Sequence, residues 1–172
     1  NLYANSGIVV EINVHQDIPK YDQFGALKGL EYQKDLERLA FTSGGRTQTA
    51  PAQRLTDFVD GNLSVDLNPT SYQPGLKSAP LHSLLPKLIG SRLRQGFKAF
   101  GDKMHGYYTA EANIVGVESR TSSPVSIPRN EQLEHPVIKG LFPCGEGGGY
   151  AGGIVSAAMD GERCAEAAMK GL

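Results

Sequence analysis

The chain has 172 residues, is 40% hydrophobic and 20% charged, and carries a formal net charge of −1. That is an ordinary globular composition, long enough to bury a core in one or two compact units. Its basic residues are scattered, so it lacks the electrostatic footprint of a nucleic-acid binder or of attachment to an anionic membrane, and no apolar run approaches the roughly 20 residues that cross a bilayer.

The chain opens at Asn1 without a methionine and without a basic-then-apolar leader, which reads as a cytoplasmic protein and as a piece cut from a larger one. Residues 7–14, rich in Ile and Val, read as a strand. Over residues 22–41, Phe24, Leu27, Leu30, Leu36, Leu39 and Ala40 recur by threes and fours, predicting an amphipathic helix that stops near Ser43-Gly44-Gly45. Residues 47–59 mix β-branched and turn residues; Pro51 argues against a central strand, leaving a strand followed by a helical turn around 54–58.

Pro69, Pro74 and Pro80 make residues 61–80 a loop with at most a short strand. Within it Thr70-Ser71-Tyr72 either lines a pocket or serves turn chemistry. Between 81 and 104, Leu84, Leu85, Leu88, Ile89, Leu93, Phe97 and Phe100 predict two short helices or one bent helix, interrupted at Gly90 and Gly96. Strand-like texture returns over 107–119. It runs into the polar cluster Arg120-Thr121-Ser122-Ser123-Pro124, a fixed cation and three hydroxyls on a backbone restricted before proline. The helical middle therefore reads as an inserted substrate or cap domain over 16–106, entered by a strand in 1–15 and followed by a separate C-terminal part, 107–172.

Conventional hydrolytic and metal chemistry finds no support. His15, His82, His105 and His135 are too far apart for ligand spacing, and no paired-carboxylate signature is present; no metal site is expected. The chain's 2 cysteines, Cys144 and Cys164, do not form a Cys-x-x-Cys pair. Cys144 reads as a buried strand residue rather than a reactive thiol.

The distinctive stretch is the tail. Residues 139–144 read as a buried strand. Gly145-Glu146-Gly147-Gly148-Gly149-Tyr150-Ala151-Gly152-Gly153 then forms a turn where backbone approaches a ligand closely, and a small-residue helix follows over 153–170. The open N–H groups and macrodipole at that helix start favour an electron-rich group. The span 147–152 fits G-x-G-x-x-G, but that fingerprint continues into a second strand with an acid about 20 positions on. Here the chain stops at Leu172, so the turn reads as the end of a nucleotide-binding fold rather than its beginning.

At such an end, Gly145-Glu146 resembles the second FAD fingerprint of flavoproteins with two dinucleotide-binding domains. The segments 116–125, 140–147 and 150–161, with Thr70-Ser71-Tyr72-Gln73-Pro74-Gly75 and Leu84-Leu85-Pro86, resemble the C-terminal half of the bacterial FAD-dependent, NAD(FAD)-utilising dehydrogenases. The resemblance implies that Gly145, Glu146, Gly147, Gly152, Gly153 and Ile154 contact FAD, with Glu146 accepting hydrogen bonds from a ribityl hydroxyl and the helix start facing the pyrimidine end of the ring. It further implies that Arg120 and Glu118 stand near the flavin as candidate catalytic groups, where the alternative is an ion pair pinning a loop. Thr121, Ser122 and Tyr72 become candidates for a small-molecule substrate pocket, NAD(P)H a possible donor, and an absent N-terminal FAD-binding portion the chain's partner. Two other readings stay open: a nucleotide- or phosphate-binding module without redox chemistry, and an interaction domain docking on a missing one. The expected class is α+β with an incomplete Rossmann-like half, and the resemblance makes residues 107–172 the C-terminal portion of the FAD-binding domain.

Overall fold

The computed structural model describes residues 2–170. Among them the elements run as a 3-10 stretch, Pro19–Leu27, then α1 (Lys28–Ser43), β1 (Ala50–Arg54), α2 (Leu55–Asp60), β2 (Leu76–Ser78), α3 (Leu81–Leu84), α4 (Lys87–Lys103), β3 (Asn113–Val115), α5 (Gly145–Gly148) and α6 (Ile154–Lys170). This is an α+β chain. Its contacts divide it into two compact units, the first built from residues up to Pro19 with Lys34–Ser119, the second from Lys20–Gln33 with residues from Arg120 onward.

The first unit is built around a small mixed sheet in the order β2-β1-β3. β1 pairs parallel with β2, Ala50 opposite Leu76, and antiparallel with β3, Gln53 opposite Ile114. The central strand therefore contains Pro51, against the expectation from its missing N–H. Pairing with β3 covers only Ala52 to Arg54, so Pro51 lies beyond that ladder while its carbonyl still accepts from Gly116 N at 3.0 Å.

α2 follows β1 without a loop and ends at Gly61, whose φ of 80° is the left-handed conformation a glycine takes freely. Its Leu55, Phe58 and Val59 form the core with Leu81 and Phe97, and Leu85, Leu93 and Ile114 pack around them. The Phe58 and Phe97 rings meet edge-on at 6.1 Å. The predicted helix over 81–104 is two helices, α3 and α4, with Pro86 between them.

Two expected strands are absent. Residues 7–14 carry no regular structure: the β-branched run has no paired strand beside it, and strand propensity acts only through such partners. Residues 139–144 are likewise irregular, held by local turn chemistry. Glu134 Oε1 accepts from Gly140 N at 2.8 Å, His135 N donates to Leu141 O at 2.7 Å, and Gly140 takes a φ of 75°. The predicted C-terminal helix forms as α6.

Candidate functional site

In the second unit the glycine stretch folds into the single turn of α5, a left-handed residue at Gly149 with φ 84°, and a short connection to α6. Gly149 admits no side chain, because a Cβ there would stand 2.6 Å from Val125 O and 2.8 Å from Ser126 Cα. Gly148 O accepts from Ile127 N at 3.1 Å, and the Tyr150 hydroxyl donates to Ile127 O at 2.6 Å. The turn is thus laced to the segment 125–127.

Beneath it lies an ion pair that the sequence reading did not single out. Arg129 Nη2 donates to Asp160 Oδ1 at 2.8 Å and Arg129 Nη1 to Asp160 Oδ2 at 2.9 Å. The same Asp160 Oδ2 accepts the backbone N–H of Gly145 at 2.9 Å, so the first residue of the turn is tied to α6. Arg129 Nη1 also donates to Pro143 O at 2.9 Å, and its guanidinium lies 3.6 Å from the centre of the Tyr150 ring.

Burial alone would push the Asp160 carboxyl up, but the Arg129 hydrogen bonds and then the Gly145 N–H outweigh it and hold the group down at about 2. The Asp160 bonds in turn push the Arg129 guanidinium further up. A sequence signal for the pair existed: Asp160 sits on the helix stripe with Ala157, Gly161 and Cys164, where an acid among small residues needs a buried partner.

The outer face of the turn is open. Glu146, in the first turn of α5, is exposed, as are Gly147, Gly152 and Gly153, and Ile154 is 93% exposed. No heavy atom lies within 4 Å of a Cβ built on Gly147. At the start of α6, Ser156 Oγ accepts the Gly153 N–H at 3.1 Å, and the next N–H groups have no acceptor within the helix. A Cβ on Gly152 would lie 3.5 Å from Thr121 O, so the polar cluster and the glycine turn are neighbours.

Arg120, Thr121 and Ser122 are exposed in the second unit, whereas Glu118 and Tyr72 belong to the first. The Tyr72 hydroxyl donates to Gln48 O at 2.9 Å and its backbone N–H to Thr70 Oγ1 at 3.1 Å, the turn chemistry considered for that loop. Cys144 is exposed and lies outside any strand, correcting its reading as a buried strand residue. A shallow depression of about 810 Å³ on the first unit, lined by Lys98, Asp102, His105, Tyr108 and Glu111 among others, involves none of the selected positions. No helix among the described residues is long and apolar enough to cross a membrane.

A Clostridium beijerinckii protein described as uncharacterized is 39% identical over 165 residues, covering 95% of this chain and 30% of its own length. The chain thus spans under a third of that relative. The family model described as "FAD-dependent protein, C-terminal domain-like" matches residues 1–121. With more than half of its 172 residues matched, the chain belongs to the family of FAD-dependent proteins, as a C-terminal domain.

Proposed function

We propose that the chain supplies the C-terminal part of an FAD-dependent oxidoreductase that transfers hydride or electrons between an organic substrate and an acceptor, with NAD(P)H a candidate donor. The observation that carries the reading is the two-sidedness of the glycine turn. Its inner side is fixed by Arg129, Asp160 and Tyr150, while Glu146, Gly147, Gly152, Gly153 and Ile154 form an exposed outer side. Such a surface, rigid behind and bare in front, suits a flat, polar-rimmed cofactor.

The residues present fit the flavin. The exposed Glu146 carboxylate is an acceptor for ribityl hydroxyls, Gly147 leaves room for a close approach, and the α6 start directs N–H groups and partial positive charge outward. Bound there, FAD would supply the electron chemistry itself. Gly145, locked to Asp160, keeps Glu146 in place, and the α6 start favours negative charge building on the ring. Arg120, Thr121 and Ser122, beside Gly152, are proposed to face the substrate, with Arg120 holding an anionic group. Glu118 and Tyr72 remain substrate-side proposals on sequence grounds.

The test is a titration of the flavin-stripped, full-length protein with FAD, followed by flavin fluorescence. Glu146→Ala is expected to weaken binding by about tenfold or more, the equivalent of one charge-assisted hydrogen bond. Unchanged affinity would remove Glu146, and with it the proposed orientation, from the cofactor site.

A further inference from the structure

The chain's 2 cysteines, 20 residues apart in sequence, are brought to the same place by the fold. Cys164 lies buried on α6, one helical turn after Asp160, and its Sγ stands 3.7 Å from Pro143 O, the carbonyl immediately before Cys144. On the other side of Cys144, Gly145 N is bonded to Asp160 Oδ2 at 2.9 Å. Cys144 is therefore gripped on both flanks by residues of α6. Burial above all, then Asp160 and Cys144, push the Cys164 thiol up against the opposing pull of Arg129. Arg129 Nη1 is 3.3 Å from Cys164 Sγ.

We infer that Cys144 and Cys164 form a reversible disulfide pair, a redox-sensitive clasp between the Gly145-Glu146 turn and α6, with a peroxide as the oxidant. Exposure assigns the roles: Cys144 is open to solvent and Cys164 is not. The Cys144 thiolate attacks one oxygen of hydrogen peroxide; the O–O bond breaks, the released hydroxide takes up the thiol proton as water, and Cys144 becomes a sulfenic acid. The Cys164 sulfur then attacks the Cys144 sulfur. The S–O bond breaks, and the departing hydroxide leaves as water with the Cys164 proton. Two thiols lose two electrons in all, and one peroxide becomes two waters.

Such a bond would hold residues 143–145 against α6 whatever the turn binds, so the inference stands apart from the flavin reading. It would also fix the Cys164 sulfur that Arg129 Nη1 approaches at 3.3 Å, linking the redox state to the group that anchors Asp160.

The test exposes the native full-length protein to hydrogen peroxide, blocks remaining thiols with a maleimide, and maps the peptides by mass spectrometry. The expected result is a peptide joining Cys144 to Cys164, two hydrogens lighter than its parts and split by dithiothreitol. Cys164→Ser should instead leave a dimedone-reactive sulfenic acid at Cys144. Both thiols still carrying maleimide, or Cys144 ending only as a sulfinic acid or in a disulfide to another molecule, would overturn the inference.

Discussion

Arg129 and Asp160, 31 residues apart in the chain, meet in a two-pronged pair at 2.8 and 2.9 Å with most of both side chains out of solvent. Removing one member of such a pair leaves the other charge buried and uncompensated, a loss of about 3–5 kcal/mol. Asp160→Ala and Arg129→Met are each expected to lower unfolding free energy by that order in chemical denaturation. The double variant should lose less than the sum of the two.

The same pair makes the stability of the second unit sensitive to acid. The Asp160 carboxyl is depressed from 3.8 to about 2, so its contribution is complete above the ordinary value and is lost as pH falls toward the lower one. Acid titration of stability should show a steep decline across that interval. Asp160→Asn should flatten it.

In the first unit, Gln53 fixes the state of His82. Its Oε1 accepts the His82 backbone N–H at 3.0 Å, while its Nε2 faces both Asn62 O and His82 Nδ1, the latter at 2.8 Å. Nδ1 must therefore accept, which leaves the ring proton on Nε2. Burial, and then the nearby Arg94, push the imidazole below its ordinary 6.5. The neutral ring is the folded form, so its stabilisation is complete above 6.5 and declines as pH falls below it. Long-range proton–nitrogen NMR should show the Nε2–H tautomer, and the melting temperature should drop on acidification through that value. A melting temperature flat across it would contradict the assignment.

Two glycines of the turn separate folding from binding. Gly149→Ala forces a Cβ into Val125 O at a φ of 84°, and a loss of about 1–3 kcal/mol is expected. Gly147→Ala adds a Cβ with no heavy atom within 4 Å and should shift stability by no more than about 0.5 kcal/mol while reducing flavin retention. Unfolding curves and bound flavin per protein measure the two effects independently.

How much of this was legible depended on the range of the interactions. The α6 periodicity and the α1 stop at Ser43 are local, and the sequence displays them, whereas the break expected at Gly90 and Gly96 falls instead at Pro86, with both glycines inside α4. Strands need partners that the sequence does not name. The apolar runs at 7–14 and 139–144 misled for that reason, and Pro51 entered a central strand because only part of that strand is paired on its β3 side. The glycine turn was visible as a string of residues, but its brace was not. Arg129 sits in an unremarkable loop, and its meaning appears only when the fold lays it over Tyr150 and against Asp160.

The proposed place of the Gly145–Glu146 turn in a flavin site underlies the rest. It is tested most directly by the visible absorption spectrum of the full-length protein as purified and after incubation with FAD. The expected result is the flavin band, retained through gel filtration and lost or weakened in Glu146→Ala. A colourless protein that stays colourless after added FAD would contradict it.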